Sequence, residues 1–285
     1  MQSLWMIAAS FLFACMGLCV KLAAEAGFSA AEIVFYRCAI ALVLMTVMVR
    51  LRGVSLRTSH WSFQLQRGVS GFLALTLYFW AITMLPLATA VTLNYTAPIF
   101  LALLLMALSG VRLTSGMTLA LGMGLAGVGF LLQPSFAAEQ WFGGLVGLTS
   151  GMLAALAYYN VRELGALGEP ETRTVFYFSL LSTVGSLVWL AFSEMHMPTG
   201  DNILILLGVG GFATLAQLAM TRAYARGKTL LSANLAYSTV VFASLFGVLF
   251  WGEHLGWPEA LGILLVVLSG IAASRFSRAS PAEQD

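Results

Sequence analysis

Ten apolar stretches of about twenty residues, joined by short polar links, run the length of the chain and leave almost no sequence over for anything else. They cover 4–23, 30–49, 68–86, 88–109, 113–133, 142–161, 174–193, 202–222, 229–251 and 257–276. A hydrocarbon core about 30 Å thick is crossed by about 20 helical residues. Lipid offers backbone groups no hydrogen-bond partner, so stretches of this kind must be helices. The expected fold is an all-α membrane protein with ten transmembrane helices, embedded in the lipid bilayer. Only 9% of the 285 residues are charged and 60% are hydrophobic, against roughly 25% charged in a soluble domain, so no soluble domain is expected beside the helices. A net charge of +2 carries no nucleic-acid footprint. The first stretch lacks a basic leader and a small-residue cleavage site and reads as a retained helix.

Lysine and arginine set the orientation. With the N-terminus inside, the internal links hold Arg50, Arg52, Arg57, Arg67, Arg112, Arg162, Arg173, Arg222, Arg226 and Lys228, and the C-terminal end adds Arg275 and Arg278. These are twelve of the fourteen basic residues; the other two, Lys21 and Arg37, fall in helices. The opposite face carries Glu25, Glu32, Glu139, Glu194, Asp201, Glu253 and Glu259. Both termini are expected in the cytoplasm, in a bacterial inner membrane, with 277–285 a disordered tail.

A shift of 142 residues superposes the two halves: Tyr95 meets Tyr237, Phe100 meets Phe242, Gly110 meets Gly252 and Leu113 meets Leu255. A shift of 141 matches Val34-Phe35-Tyr36 with Val175-Phe176-Tyr177. Five helices per copy is an odd number, so the second copy, 141–276, enters the membrane inverted relative to the first, 1–134. Two inverted five-helix repeats are the usual frame of a secondary transporter, with the substrate near the midplane between them.

The residues that carry a family resemblance lie on this frame. Tyr78-Phe79-Trp80-Ala81-Ile82-Thr83-Met84-Leu85-Pro86-Leu87, followed by Ala97-Pro98-Ile99-Phe100, resembles helices three and four of the drug/metabolite transporter superfamily, EamA type. Phe35-Tyr36-Arg37 resembles its helix two, and Gly252-Glu253-His254-Leu255, Leu261-Gly262 and Ser269-Gly270 resemble the end of its helix nine and its helix ten. Two departures are Arg112, where the family often has glutamate after the glycine, and Val240, opposite Pro98, where a second proline is common. Within the superfamily the chain resembles most the aromatic amino-acid exporters of the YddG type. The resemblance implies a membrane carrier of small molecules that needs no cofactor.

Enzyme signatures are largely missing. Arg226-Gly227-Lys228-Thr229 mimics the end of a phosphate-binding loop, but Arg222 stands where its first glycine belongs. His60, His196 and His254 are far apart, and Cys15, Cys19 and Cys38 have no zinc-type spacing. Neither a metal site nor catalysis is expected.

Polar residues inside the stretches say more, since facing lipid would be costly for them. Helix eight carries Thr214, Gln217, Thr221 and Tyr224 at spacings of three, four and three, which share one face. Helix three offers Thr76, Trp80 and Thr83; helix four Thr92, Tyr95 and Thr96, with Asn94 to one side; helix nine Asn234, Tyr237 and Ser238. Lone hydroxyls suit interhelical hydrogen bonds; large amides and rings converging from both halves suit a pocket. The expected cavity is uncharged, walled by Trp80, Tyr95, Tyr224 and Tyr237 with Tyr78 beside them. Gln217 and Asn234, with Asn94, would bind the polar ends of a zwitterion. Arg37 reads as a structural charge or a carboxylate anchor, and Gln64 as a replaceable loop residue. Gly143, Gly147 and Gly151, at four-residue spacing, suit close helix packing within one chain, and a monomer is expected.

The expected function is alternating-access export of amino acids, aromatic ones included, and related metabolites. The alternative is an importer of another metabolite, such as a methionine-derived cofactor or a nucleotide precursor. The lack of a deep carboxylate points to facilitated diffusion or exchange rather than proton coupling.

Overall fold

The computed structural model describes residues 2–135, 138–192, 200–252, 254 and 256–279. Glu194, His196, Pro198, Glu253 and Leu255, and positions 280–285 of the expected tail, lie outside the described residues. Positions 277–279 continue the last helix.

Every regular element among the described residues is helical. The long helices are α1 (Trp5–Glu25), α2 (Ala30–Leu51), α3 (Trp61–Met84), α6 (Ser115–Leu132), α7 (Trp141–Ala166), α8 (Glu171–Leu190), α9 (Gly200–Arg226) and α12 (Trp257–Ala279). Two further spans are each split, into α4 (Leu87–Asn94) with α5 (Ala97–Ser109), and α10 (Thr229–Leu235) with α11 (Ser238–Trp251). Nine of these segments are long and apolar enough to cross a membrane. α3 is the one outside the nine; it has 24 residues, but its first turns carry Gln64, Gln66 and Arg67.

Helix ends differ from the apolar runs where polar residues prolong a helix past the hydrocarbon. α3 begins at Trp61, so Gln64 and Arg67 are helical and buried rather than in a loop. α7 continues to Ala166 and so includes Arg162. Local chemistry fixes other ends. At α2, Ser29 Oγ accepts from the Glu32 amide while Glu32 Oε2 accepts from the Ser29 amide at 2.7 Å, a reciprocal cap. α5 and α11 both stop at a glycine with φ of 65°, Gly110 and Gly252, a conformation that costs a residue without Cβ nothing.

The most extensive contacts join α1 to α9, α3 to α7, α2 to α8 and α6 to α12. The interior is built from small side chains such as Ala9, Ala81, Ala155, Ala223 and Ser150, while Leu51, Leu204, Leu249 and Phe250 point outward. Lipid tails are as apolar as leucine, so helices in a bilayer gain by packing backbones closely. The Gly143–Gly147–Gly151 stripe is used in this way, inside the chain. A Cβ at Gly151 would lie 2.8 Å from both the Leu93 carbonyl oxygen and Thr96 Oγ1, and one at Gly143 would meet Met84 and Leu85.

That contact seats α7 against the break between α4 and α5. Pro98 has no N–H to return to Asn94, and the chain passes through Tyr95 and Thr96 on tighter bonds, Thr96 N to Leu93 O at 3.2 Å and Ile99 N to Thr96 O at 2.9 Å. The second break, at Ala236 and Tyr237, has bonds of the same i to i−3 kind, one position earlier and without a proline: Tyr237 N to Asn234 O at 3.2 Å and Val240 N to Tyr237 O at 3.1 Å.

On one face of the bundle a buried carboxylate ties links from the two halves. Glu169 accepts from Thr58 Oγ1 at 2.6 Å, Gln64 Nε2 at 3.2 Å and Arg173 Nη1 at 2.8 Å. Arg173 Nε donates to the Ser55 carbonyl at 2.7 Å, and the Tyr177 hydroxyl donates to that of Leu56 at 2.5 Å. Gln64 is therefore a buried cross-link, not a replaceable surface residue. Burial acts to raise the Glu169 carboxyl, but the hydrogen bonds from Thr58 and Arg173, the Arg173 charge and the Gln64 amide outweigh it and hold it below the usual carboxylate range. A carboxylate so held stabilises the fold fully above its unfolded value of about 4.3, and the contribution is lost as pH falls through the lower folded value. Glu169→Gln should therefore melt at lower temperature than wild type at pH 7, and the gap should close below about pH 4. Thermal unfolding of the detergent-purified pair across pH checks this.

Candidate functional site

Between the two halves lies a cavity of about 220 Å³, walled by α1, α2, α3, α7, α8 and α9 and by both helix breaks. Of the residues expected at a site, it brings together Tyr78, Asn94, Tyr95, Gln217 and Tyr224. The α9 face behaves as its spacing predicts. Thr214, Gln217, Thr221 and Tyr224 are all buried, and Gln217 and Tyr224 reach the cavity. Asn94 lines it while its amide donates to Ser150 Oγ at 3.1 Å. The rings of Tyr158 and Tyr224 stack in the wall, with centroids 4.9 Å apart and planes 16° from parallel.

Three expected residues lie elsewhere. Trp80 is 46% exposed on the outer side of α3, with its ring edge-on to Phe142 at 6.0 Å. The threonines that share its face satisfy themselves. Thr83 Oγ1 donates to the Trp80 carbonyl at 2.7 Å and Thr76 Oγ1 to that of Phe72 at 3.0 Å, so the face can meet lipid at little cost. Asn234 is buried and engaged between helices: its amide donates to the Ala120 carbonyl at 3.0 Å, and Ser269 Oγ donates to its oxygen at 3.3 Å. Tyr237 is fully buried one layer behind the cavity, its ring 6.3 Å from that of Tyr95.

The cavity is not uncharged. Arg37 of α2 and Arg67 of α3 both line it, and both are buried, 8% and 3% exposed. Arg67 Nη2 donates to Gln217 Oε1 at 3.4 Å, and its guanidinium lies over the Phe178 ring, 4.1 Å from the centroid. Among the described residues no carboxylate pairs with either guanidinium, and each keeps a buried Nε without a hydrogen-bond partner. A cationic side chain at the centre of a spanning helix costs about 2.5–3.5 kcal/mol, and a desolvated cation–π contact returns about 2. A glycine makes the arrangement possible: a Cβ at Gly71, one turn beyond Arg67, would sit 2.2 Å from Arg67 Nη1.

Comparison with known proteins places this architecture. The model of the EamA-like transporter family matches residues 1–133 and again 141–275. The chain belongs to that family. Its members are transporters rather than enzymes, and the chain is a multi-pass membrane transporter. It is 34% identical over 273 residues to the pseudopaline exporter CntI of Pseudomonas aeruginosa (strain UCBPP-PA14), covering 94% of each chain. It is 24% identical over 261 residues to a riboflavin transporter of Brucella anthropi, covering 86% of this chain and 92% of that one. A solved crystal structure, 22% identical, superposes with a TM-score of 0.87 over 97% of this chain and 98% of its own, a likeness of fold. These relatives are named for pseudopaline and riboflavin, not for aromatic amino acids.

The assignments of Asn234 and Trp80 separate in a melting experiment. Asn234→Ala removes two interhelical hydrogen bonds and should cost about 1–2 kcal/mol, a few degrees in Tm. Trp80→Ala should change Tm by less than half as much. Both are read on detergent-purified protein.

Proposed function

We propose that the chain is an alternating-access carrier that exports small carboxylate-bearing metabolites, amino acids and their derivatives among them, across a bacterial inner membrane. The observation that carries this reading is the buried Arg67 guanidinium, steadied by Gln217 and Phe178 and facing a cavity with no carboxylate among its described lining residues. A carboxylate there would supply the missing counter-charge through charge-assisted hydrogen bonds. Tyr78, Tyr95, Tyr158 and Tyr224 would give the solute flat apolar walls. The volume, about 220 Å³, is below the roughly 300–1,000 Å³ typical of drug-sized ligands and suits a small solute. The outward direction is supported by likeness to an exporter. The ring walls keep aromatic amino acids, the substrates of the YddG type, within the class.

Two inverted five-helix repeats would provide the rocking elements. In their support, exchanging the halves turns the α1–α9 contact into the α7–α3 contact. The two helix breaks fall 142 residues apart, at Tyr95 and Tyr237, as do the two glycine stops. The described basic links gather on one face: Arg226 pairs with Glu171 at 2.8 Å, Arg222 with Gln2 at 3.1 Å, and Arg173 joins the 52–60 link. That face would be cytoplasmic, with the N-terminus on it. The charge rule for loops supports this orientation.

Purified chain in liposomes preloaded with unlabelled glutamate or phenylalanine should show counterflow of the labelled solute that a protonophore leaves unchanged. Gln217→Ala should lower it about tenfold, since an unsatisfied buried partner costs about 1–3 kcal/mol. Carboxylate-free analogues carried as fast as the parent acids would overturn the reading. For orientation, a single cysteine placed at Arg57 in a chain lacking Cys15, Cys19 and Cys38 should resist an impermeant reagent added to intact cells and react after the membrane is opened.

A further inference from the structure

The cavity holds one more charge than a single carboxylate can balance. Arg37 reaches it from α2, across from Arg67 on α3, and neither has a carboxylate partner among the described residues. Arg67 has Phe178 and Gln217 as neighbours. The same two side chains line a narrow crevice of about 10 Å³ that continues past Arg37 between α2, α8 and α9. Both guanidiniums keep a buried, unpartnered Nε, and the missing side chain of Gly71 makes room for the Arg67 guanidinium itself. Burying two like charges without compensation is far more costly than burying one, because nothing in the low-dielectric interior screens them from each other. Neutral walls of tyrosine, phenylalanine and amide weaken that repulsion without cancelling it.

We infer that the cavity is built for a solute with two anionic groups, one met by Arg67 beside Gln217 and the other by Arg37 at the mouth of the crevice. This deepens the proposed function and rests on its carboxylate reading of Arg67. A dicarboxylate, with or without an amino group, brings charge to both guanidiniums. A single carboxylate leaves Arg37 uncompensated. A phosphate monoester has the same doubled charge on one centre, and it would have to gather both guanidiniums at a single point.

Isothermal titration of the full chain in detergent, with succinate, glutamate, glutamine, butyrate and glycerol 3-phosphate as probes, separates these cases. Glutamate and glutamine have the same shape and differ in one charge. Glutamate and succinate should bind at least tenfold more tightly than glutamine and butyrate. Arg37→Gln should collapse the glutamate–glutamine ratio to within about twofold, while Arg37→Lys keeps most of it; the lysine variant also shows that loss in the glutamine variant is not misfolding. Tightest binding by glycerol 3-phosphate, lost in Arg37→Gln, would support the paired-anion assignment and identify phosphate as the source of charge. Equal binding of glutamate and glutamine by wild type would overturn the second anion site while leaving the carboxylate reading of Arg67 in place. Failure of every probe to bind would overturn both.

Discussion

Inside a bilayer no water waits to hydrogen-bond a stray backbone group, and this constraint governs the molecule. It makes every described element helical, and it restricts any interruption of a helix to places where protein covers the exposed groups. The two interrupted spans obey it. Each bridges its gap with i to i−3 bonds, and α7 presses a bare glycine, Gly151, against the first break so closely that a methyl group would collide with carbonyl and hydroxyl oxygens. The breaks thus depend on packing rather than on proline: Pro98 accompanies one and Val240 stands at the equivalent place in the other.

The same absence of water raises the cost of charge, and the distribution of charge follows. Carboxylates of the described residues sit near helix ends, in caps such as Glu32 or cross-links such as Glu169, where donors surround them. Of the two arginines of the interior, Arg67 is tolerated by a different means, an aromatic face and an amide, whereas Arg37 is nearly buried with an unpartnered Nε and carries the cost of desolvation. A protein indifferent to solute would gain by replacing them with apolar residues. Their place beside the cavity is what ties the fold to the anion-binding function proposed above.

How much of this could be read from the sequence depended on whether a residue's partner was local. The spans were legible because twenty apolar residues have one use, and the α9 face because spacings of three and four place a large amide and a phenol on one side of a helix. Trp80 departs from the expected wall because its flanking threonines bond their own helix backbone, a satisfaction invisible in the pattern. Asn234 departs from the expected cavity because its partners, the Ala120 carbonyl and Ser269, lie more than thirty residues away in the chain. Arg67 and Gln64 read as loop residues because polar side chains at the edge of an apolar run look like its end. The glycine one turn after Arg67 was the available sign that its side chain needs room within the bundle.

Tyr95 and Tyr237 each occupy the corner of a broken span, and their rings touch. In the proposed cycle a swing at one corner would press on the other's ring, so bending in one half of the molecule would be felt in the other. Were the two breaks to act as hinges, their shared contact would make them a single joint, with one degree of freedom where independent halves would have two. In the carrier proposed above, a joint of that kind would disfavour the state in which both ends of the passage stand open, the state in which a carrier would become a leak.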